Sequence, residues 1–236
     1  MKNFIHLLKE ITSSTWLIEK PLNEATQKIL TSTVKDNSRW LDIGCGLKPY
    51  AESFSNAHYV GIDIADSGRP IDMKAPDKFY DGINIPYEDG SFDGVLCTQV
   101  LEHVEDMDKF LAECNRVLKV GGSFIISVPF IFQEHEKPYD FRRFTSYGLT
   151  SDLNRNGFKI SKCLKLISSI ETIATVLCIY VDNNISTKGK LARILTGLFI
   201  VFPTMILSKC LAKILPDNRD LYLVLLASAL KEKTSL

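Results

Sequence analysis

No C-x-x-C pair and no metal-ligand spacing occurs among the six cysteines (45, 97, 114, 163, 178 and 210), several of which lie in apolar stretches. That pattern argues against a zinc ribbon or a disulfide scaffold and reads as reduced core thiols of a cytosolic chain, with no metal expected. Charge bias is missing as well. Basic and acidic residues number 28 each, so nothing in bulk points to nucleic acid as a partner. There is no internal repeat and no low-complexity segment. The first residues, MKNFIHLLKEITSS, are interrupted by His6, Lys9 and Glu10 and make a poor signal peptide, so a cytoplasmic location is expected. A third glycine is also lacking. In "RWLDIGCGLKPY" (39–50), Pro49 stands where a dinucleotide loop of the form G-x-G-x-x-G would place its last glycine.

What is present is a globular composition: 236 residues, 45% hydrophobic and 24% charged, enough for one domain with an addition. Residues 1–36 carry apolar positions at rough helical spacing (Ile5, Leu8, Trp16, Leu17) and read as an N-terminal helical extension. From residue 37 to 236 short strands alternate with helices. "RWLDI", "HYVGIDI", "KFYDGI", "SFDGVLC" and "SFIISVP" read as five strands, with a sixth near 158–164 and a seventh in "DLYLVLLASAL". "PYAESFSN" suits a helix opened by Pro49. A longer helix is expected after the fourth strand, from the spacing of Val100, Val104, Phe110, Leu111, Val117 and Leu118, with Gly121-Gly122 as its C-cap. This order predicts an α/β, doubly wound, Rossmann-like sheet. In such sheets ligands bind outside the carboxyl ends of the strands.

Three acids sit at or near those ends: Asp42, Asp63 and Asp81, the last followed by Gly82. An acid ending the second strand is placed to accept both hydroxyls of a ribose, in NAD or in any other adenosine ligand. Pro49 removes a donor that would cradle a phosphate, and a ring of carboxylates repels a pyrophosphate. The pocket chemistry therefore favours adenosine joined to a positive charge.

The runs "LDIGCG", "VGIDI", "DGINIPYEDGSFDGVLCTQVLEHV" and "LKVGGSFIISVP" resemble the class I S-adenosylmethionine-dependent methyltransferases, closest to their type 11-like group, over roughly residues 38–130. The resemblance implies an enzyme with S-adenosylmethionine as cofactor and a seven-stranded sheet whose last strand is antiparallel. It also implies site residues: Gly44 and Gly46 at the methionine moiety, with Asp42 holding its amino end through the loop. Asp63 would take the ribose hydroxyls and Ile64 the adenine face. Asp81 and Gly82 would meet the adenine edge, and Thr98 and Gln99 would close the methionine side.

A hydroxyl acceptor needs a general base, and His103 in "LEHV" and His135 in "FQEHEKPYDFRRFT" are the candidates. The latter loop also carries Tyr139, Arg142 and Arg143 as expected acceptor-binding residues, since guanidinium forks suit acidic or phosphorylated groups. The loop and "GCGLKPY" resemble methyltransferases of bacterial surface-polysaccharide clusters. This implies O-methylation of a saccharide or lipid-linked saccharide; C-methylation of a prenylated quinone and a non-catalytic cofactor-binding protein stay open beside it.

Residues 183–216 hold five basic residues and no acid, and 194–208 hold no charge. Interrupted by Pro203, the stretch reads as a helical insert, too short and broken for a transmembrane helix of about 20 residues. It either caps the acceptor site or lies on the inner face of the membrane as a basic amphipathic segment. Oligomeric state has no signature in the sequence.

Overall fold

The computed structural model describes residues 16–185 and 189–233. The expected helical positions Ile5 and Leu8, and Lys188 of the insert, lie outside them. The chain divides into two compact units, Ala25–Leu164 with Val224–Leu236, and Met1–Glu24 with Lys165–Leu223.

Among the described residues, one helix, α1 (Trp16–Thr33), precedes β1 (Arg39–Ile43). Then follow β2 (His58–Ile64), β3 (Lys78–Tyr80), β4 (Phe92–Thr98), α2 (Met107–Val117), β5 (Leu118–Pro129), α3 (Ser146–Arg155), β6 (Phe158–Ser168) and, last in the chain, β7 (Tyr222–Lys231). These strands form one seven-stranded sheet in the order β3-β2-β1-β4-β5-β7-β6. Pairing is parallel from β3 through β5, and β7 runs antiparallel to β5, with Ser123 opposite Leu230 and Pro129 opposite Val224. The order reverses between β1 and β4, which makes the carboxyl ends of β1, β2 and β4 the crevice where ligands bind in open α/β sheets. Near-continuous apolar strands suit burial on both faces: Leu41, Ile43, Ile62, Val95, Leu96, Ile125 and Ile126 are fully buried.

Two helices differ from the sequence-based expectation. The region after β4 holds a 3-10 turn at Leu101–His103 and then α2, which ends at Val117 instead of at Gly121-Gly122. Leu118 already pairs with Phe92, and the register shifts between Phe92 and Gly94, so the two glycines sit at a β-bulge inside β5. Pairing with a buried neighbour strand overrode helical spacing. Pro49 opens no α-helix either; one 3-10 turn, Ala51–Phe54, joins β1 to β2.

In the other unit, α4 (Ile170–Ile185) and α5 (Lys190–Thr196) are followed by a π-turn (Gly197–Val201) and α6 (Phe202–Leu211). Pro203 is the second residue of α6, directly after the π-turn, and the helical run continues through it instead of stopping there. The continuous stretch Leu191–Leu211 spans 21 residues at mean hydropathy 1.9, and only 22% of it is buried. By length and composition it suffices to cross a membrane. Leu195, Phe199, Phe202, Ile206 and Leu207 are exposed along it.

Candidate active site

The loop after β1 is held against β2 by its backbone: the amides of Gly44 and Cys45 donate to the Ile62 carbonyl at 2.8 and 3.1 Å. Gly44 has φ +68°, and a Cβ there would lie 2.3 Å from Val100 Cγ2, so only glycine lets the loop pass. The buried Asp63 carboxylate ends β2 and accepts from the amides of Gly46 at 3.0 Å and Ile64 at 2.8 Å. After β3, Asp81 accepts from Asn84 Nδ2 at 2.6 Å and from the amides of Ile83 and Asn84 at 2.9 and 2.7 Å. These bonds, the Asn84 side chain first, hold its carboxyl below the usual range. Across from them, Gln99 donates through its amide to the Ser127 carbonyl at 2.9 Å and through Nε2 to Ser127 Oγ at 3.1 Å. These elements enclose a cavity of about 530 Å³.

A polar cluster lies at one end. His103 Nδ1 donates to the Tyr139 carbonyl at 2.7 Å, and its Nε2 has no hydrogen-bond partner among the described residues. The His135 ring meets it edge to face at 4.7 Å between centroids. His135 Nδ1 lies 3.2 Å from Asp140 Oδ2, and the same oxygen accepts the His135 amide at 2.9 Å. Burial, and next the neighbouring His103, lower the pKa of His135 and favour its neutral ring. Burial pulls the Asp140 carboxyl up, but the two Arg143 hydrogen bonds at 2.6 and 2.7 Å leave it well below the usual range. Glu102, fully buried, is pushed up to about 8 by burial.

Of the residues expected at the site, Gly44, Asp63, Ile64, Asp81, Gly82, Gln99, His103 and Tyr139 line this one cavity. Others do not line it. Asp42 accepts from the Tyr59 hydroxyl at 2.5 Å and is buried, so it does not join an acidic ring around the cavity. Gly46 and Thr98 are not among the lining residues, although the Gly46 amide donates to the lining residue Asp63. Arg142 and Arg143 both donate to other groups of the protein. Arg142 donates to the carbonyls of Val104 and, at 2.7 Å, Glu105; Arg143 forks onto Asp140 and donates to the Gln133 carbonyl at 2.8 Å. Their guanidinium groups tie the loop to the segment before α2 and to Asp140.

Lining residues that the motifs did not reveal include Arg69, Lys74, Tyr80, Val100, Glu136 and Phe141. Arg69 pairs with Glu136, and Lys74 donates to the Ile64 carbonyl at 2.8 Å and to Ser67 Oγ at 2.6 Å. Arg69 and Lys74 come from the connection between β2 and β3, which has no periodic signal. Glu136 follows His135 in the chain but belongs to no motif of its own.

A family model described as a methyltransferase domain matches residues 41–126, the segment that builds the glycine loop, both acids and Gln99. Residues 41–126 of this chain are thus similar to a methyltransferase domain. Among the curated proteins the chain is similar to the ubiquinone biosynthesis O-methyltransferase of Hahella chejuensis, at 34% identity over 38% of this chain and 42% of that protein. It is also similar to the demethylmenaquinone methyltransferase of Staphylococcus saprophyticus, at 31% identity over 39% of this chain and 45% of that protein. The matched region thus spans less than half of either relative. The phosphoethanolamine N-methyltransferase of Haemonchus contortus, solved in complex with S-adenosyl-L-methionine, shares the fold. Its TM-score is 0.58, at 18% identity over 94% of this chain and 58% of that one.

S-adenosylmethionine is the cofactor of this methyltransferase family. The site residues suit it. The cavity is lined by two acids at the ends of β2 and β3 and by a glycine whose missing Cβ opens the loop.

Proposed function

We propose that this protein transfers the methyl group of S-adenosylmethionine to an oxygen of a saccharide or lipid-linked saccharide precursor. One observation carries the reading. The two strand-end acids Asp63 and Asp81 share a cavity with the glycine loop and with His103, whose Nε2 has no hydrogen-bond partner among the described residues. The cofactor supplies a methyl group already activated on a sulfonium, so the protein's part is positioning. Gly44 and Gly46 would receive the methionine moiety, and Asp63 the ribose hydroxyls. Ile64, Asp81 and Gly82 would meet the adenine, with Gln99 on the methionine side. The acceptor's proton would leave toward the cluster of Glu102, His103 and His135, with His103 as its member on the cavity wall.

A second acceptor class, a prenylated quinone methylated at carbon, draws support from the two curated relatives, whose names refer to ubiquinone and menaquinone. The exposed apolar stretch Leu191–Leu211, basic at Arg193 and Lys209, supports placing either acceptor at an anionic membrane surface on the cytoplasmic side.

Calorimetry with S-adenosylhomocysteine and with NAD tests the cofactor reading: binding of the first alone is expected, and NAD binding alone would overturn it. Asp63→Ala should weaken S-adenosylhomocysteine about 10- to 100-fold, the worth of a charged group's lost hydrogen bonds. Unchanged affinity would remove Asp63 as the ribose partner. Labelled methyl transfer onto lipid-linked saccharides, nucleotide sugars and quinone precursors then separates the acceptors. Cofactor binding without turnover on any of them would favour a non-catalytic binding protein.

A further inference from the structure

We propose that Glu102, His103 and His135 form a binding site for one divalent cation of borderline softness, Zn²⁺ by preference, at the end of the cavity. Each of the three offers a ligand atom, and these atoms lie within 4.8 Å of one another. Bonds of about 2.0–2.1 Å to Zn²⁺ set tetrahedral ligands roughly 3.3 Å apart, a difference that side-chain rotation closes.

Three independent features point to a cation. The first is the orientation of the imidazoles. His103 Nδ1 faces the Tyr139 carbonyl at 2.7 Å, and a carbonyl only accepts, so the proton is on Nδ1 and Nε2 carries the lone pair. His135 Nδ1 faces the Asp140 carboxylate at 3.2 Å, the carboxylate–histidine arrangement that orients metal-ligating rings. The second is Glu102. It is fully buried, and apart from its own backbone amide neither carboxylate oxygen has a hydrogen-bond partner among the described residues. A buried carboxyl left in that state is costly, and a cation is the partner that relieves it. The third is the local field. Glu102 Oε1 lies 3.9 Å and Glu136 Oε2 4.0 Å from His103 Nε2, so two acids converge on the nitrogen lone pair.

The donor set selects the ion. Two neutral imidazoles and one carboxylate suit Zn²⁺ and its transition-metal neighbours, whereas Mg²⁺ and Ca²⁺ take oxygen ligands almost throughout. Three protein ligands leave a coordination position, and His103 and Glu136 both line the cavity, so that position faces an incoming acceptor. With His103 Nε2 then a ligand and no longer the base, the ion would acidify an acceptor hydroxyl, whose proton would leave to solvent through the cavity as the oxygen takes the methyl group from the sulfonium; this role rests on the proposed methyl transfer, although binding of the ion does not.

The test uses the full chain, stripped with a chelator and freed of any histidine tag. Cys163 and Cys210 are replaced by Ser because their exposed thiols bind zinc adventitiously. Calorimetric titration with Zn²⁺ should give one site per chain and with Mg²⁺ none, and Co²⁺ should give a visible absorption band at the same stoichiometry. His135→Ala and Glu102→Gln should each weaken Zn²⁺ by more than about 10-fold and shift or abolish the Co²⁺ band. Retained S-adenosylhomocysteine binding shows that a variant is folded; should His135→Ala fail that check, Glu102→Gln, which preserves shape, decides. Absence of Zn²⁺ binding, or binding and a Co²⁺ band unchanged in these variants, would overturn the proposal. Zn²⁺ binding at the cluster without methyl transfer would leave the metal site standing and count against the methyltransferase reading. Transfer at full rate in the stripped protein would remove the ion's role at the acceptor.

Discussion

The Tyr59 hydroxyl donates to Asp42 at 2.5 Å, and Asp42 does not line the cavity that Asp63 and Asp81 line. Asp42 is pushed up from 3.8 to about 7, by burial first, against the Tyr59 hydrogen bond that lowers it. The fold therefore favours the protonated acid, and this stabilisation is complete below the unfolded pKa and lost as pH rises through the folded one. Asp42→Asn keeps the neutral shape and escapes that loss. Its stability relative to the wild type should improve between about pH 4 and pH 8, by up to roughly 4 kcal/mol. Urea unfolding at the two pH values measures this, and a pH-independent difference would contradict it.

Gly44→Ala introduces a Cβ 2.3 Å from Val100 Cγ2 at a φ of +68°. Overpacking and left-handed strain together should cost roughly 1–3 kcal/mol. Because Val100 and Gly44 both line the cavity, S-adenosylhomocysteine affinity should fall as well. A thermal melt and a calorimetric titration of the variant check both effects, and a melting temperature equal to wild type would show that the loop yields freely.

Arg143 forks onto Asp140 with bonds of 2.6 and 2.7 Å, so its work is to hold the loop carrying His135. Arg143→Lys cannot reproduce the fork and should behave nearly as Arg143→Ala does. Asp140 is depressed in the fold, so its contribution is present above its unfolded pKa and lost as pH falls below it. Replacing Arg143 should therefore reduce stability at neutral pH by about 1–3 kcal/mol and flatten the acid limb of the stability profile. An unchanged acid limb would show that the pair is not what depresses Asp140.

Phe199, 72% exposed, stands on the apolar stretch with Leu195 and Phe202. Vesicles rich in anionic lipid should carry the protein upward in flotation, and Phe199→Glu with Leu195→Glu should abolish this while leaving cofactor affinity unchanged. Failure of the wild-type chain to float would end the membrane reading.

How much was legible can be judged from particular residues. Asp63 was found because an apolar strand ends in an acid, a local pattern that survives folding unchanged. Asp42 fulfils the same local pattern, yet its partner Tyr59 is 17 residues away on the next strand, and only sheet pairing brings the two together. The helix after β4 was drawn too long because helical spacing and the first residues of a buried strand look alike. Arg142 and Arg143 looked available in sequence, since nothing there reveals that backbone carbonyls and Asp140 already take their donors.

The sequence by itself determined the alternation of strands and helices, the glycine loop and the strand-end acids, because these depend on short-range periodicity and on residue type at strand ends. The tertiary structure decided which of those groups share a cavity and which are spent on one another. It alone brought His135 against Glu102 and His103, from beyond β5, although no metal-ligand spacing joins them in the chain. The physical reason is that a loop's side chains are committed by hydrogen bonds across tens of residues, and local sequence carries no record of those partners.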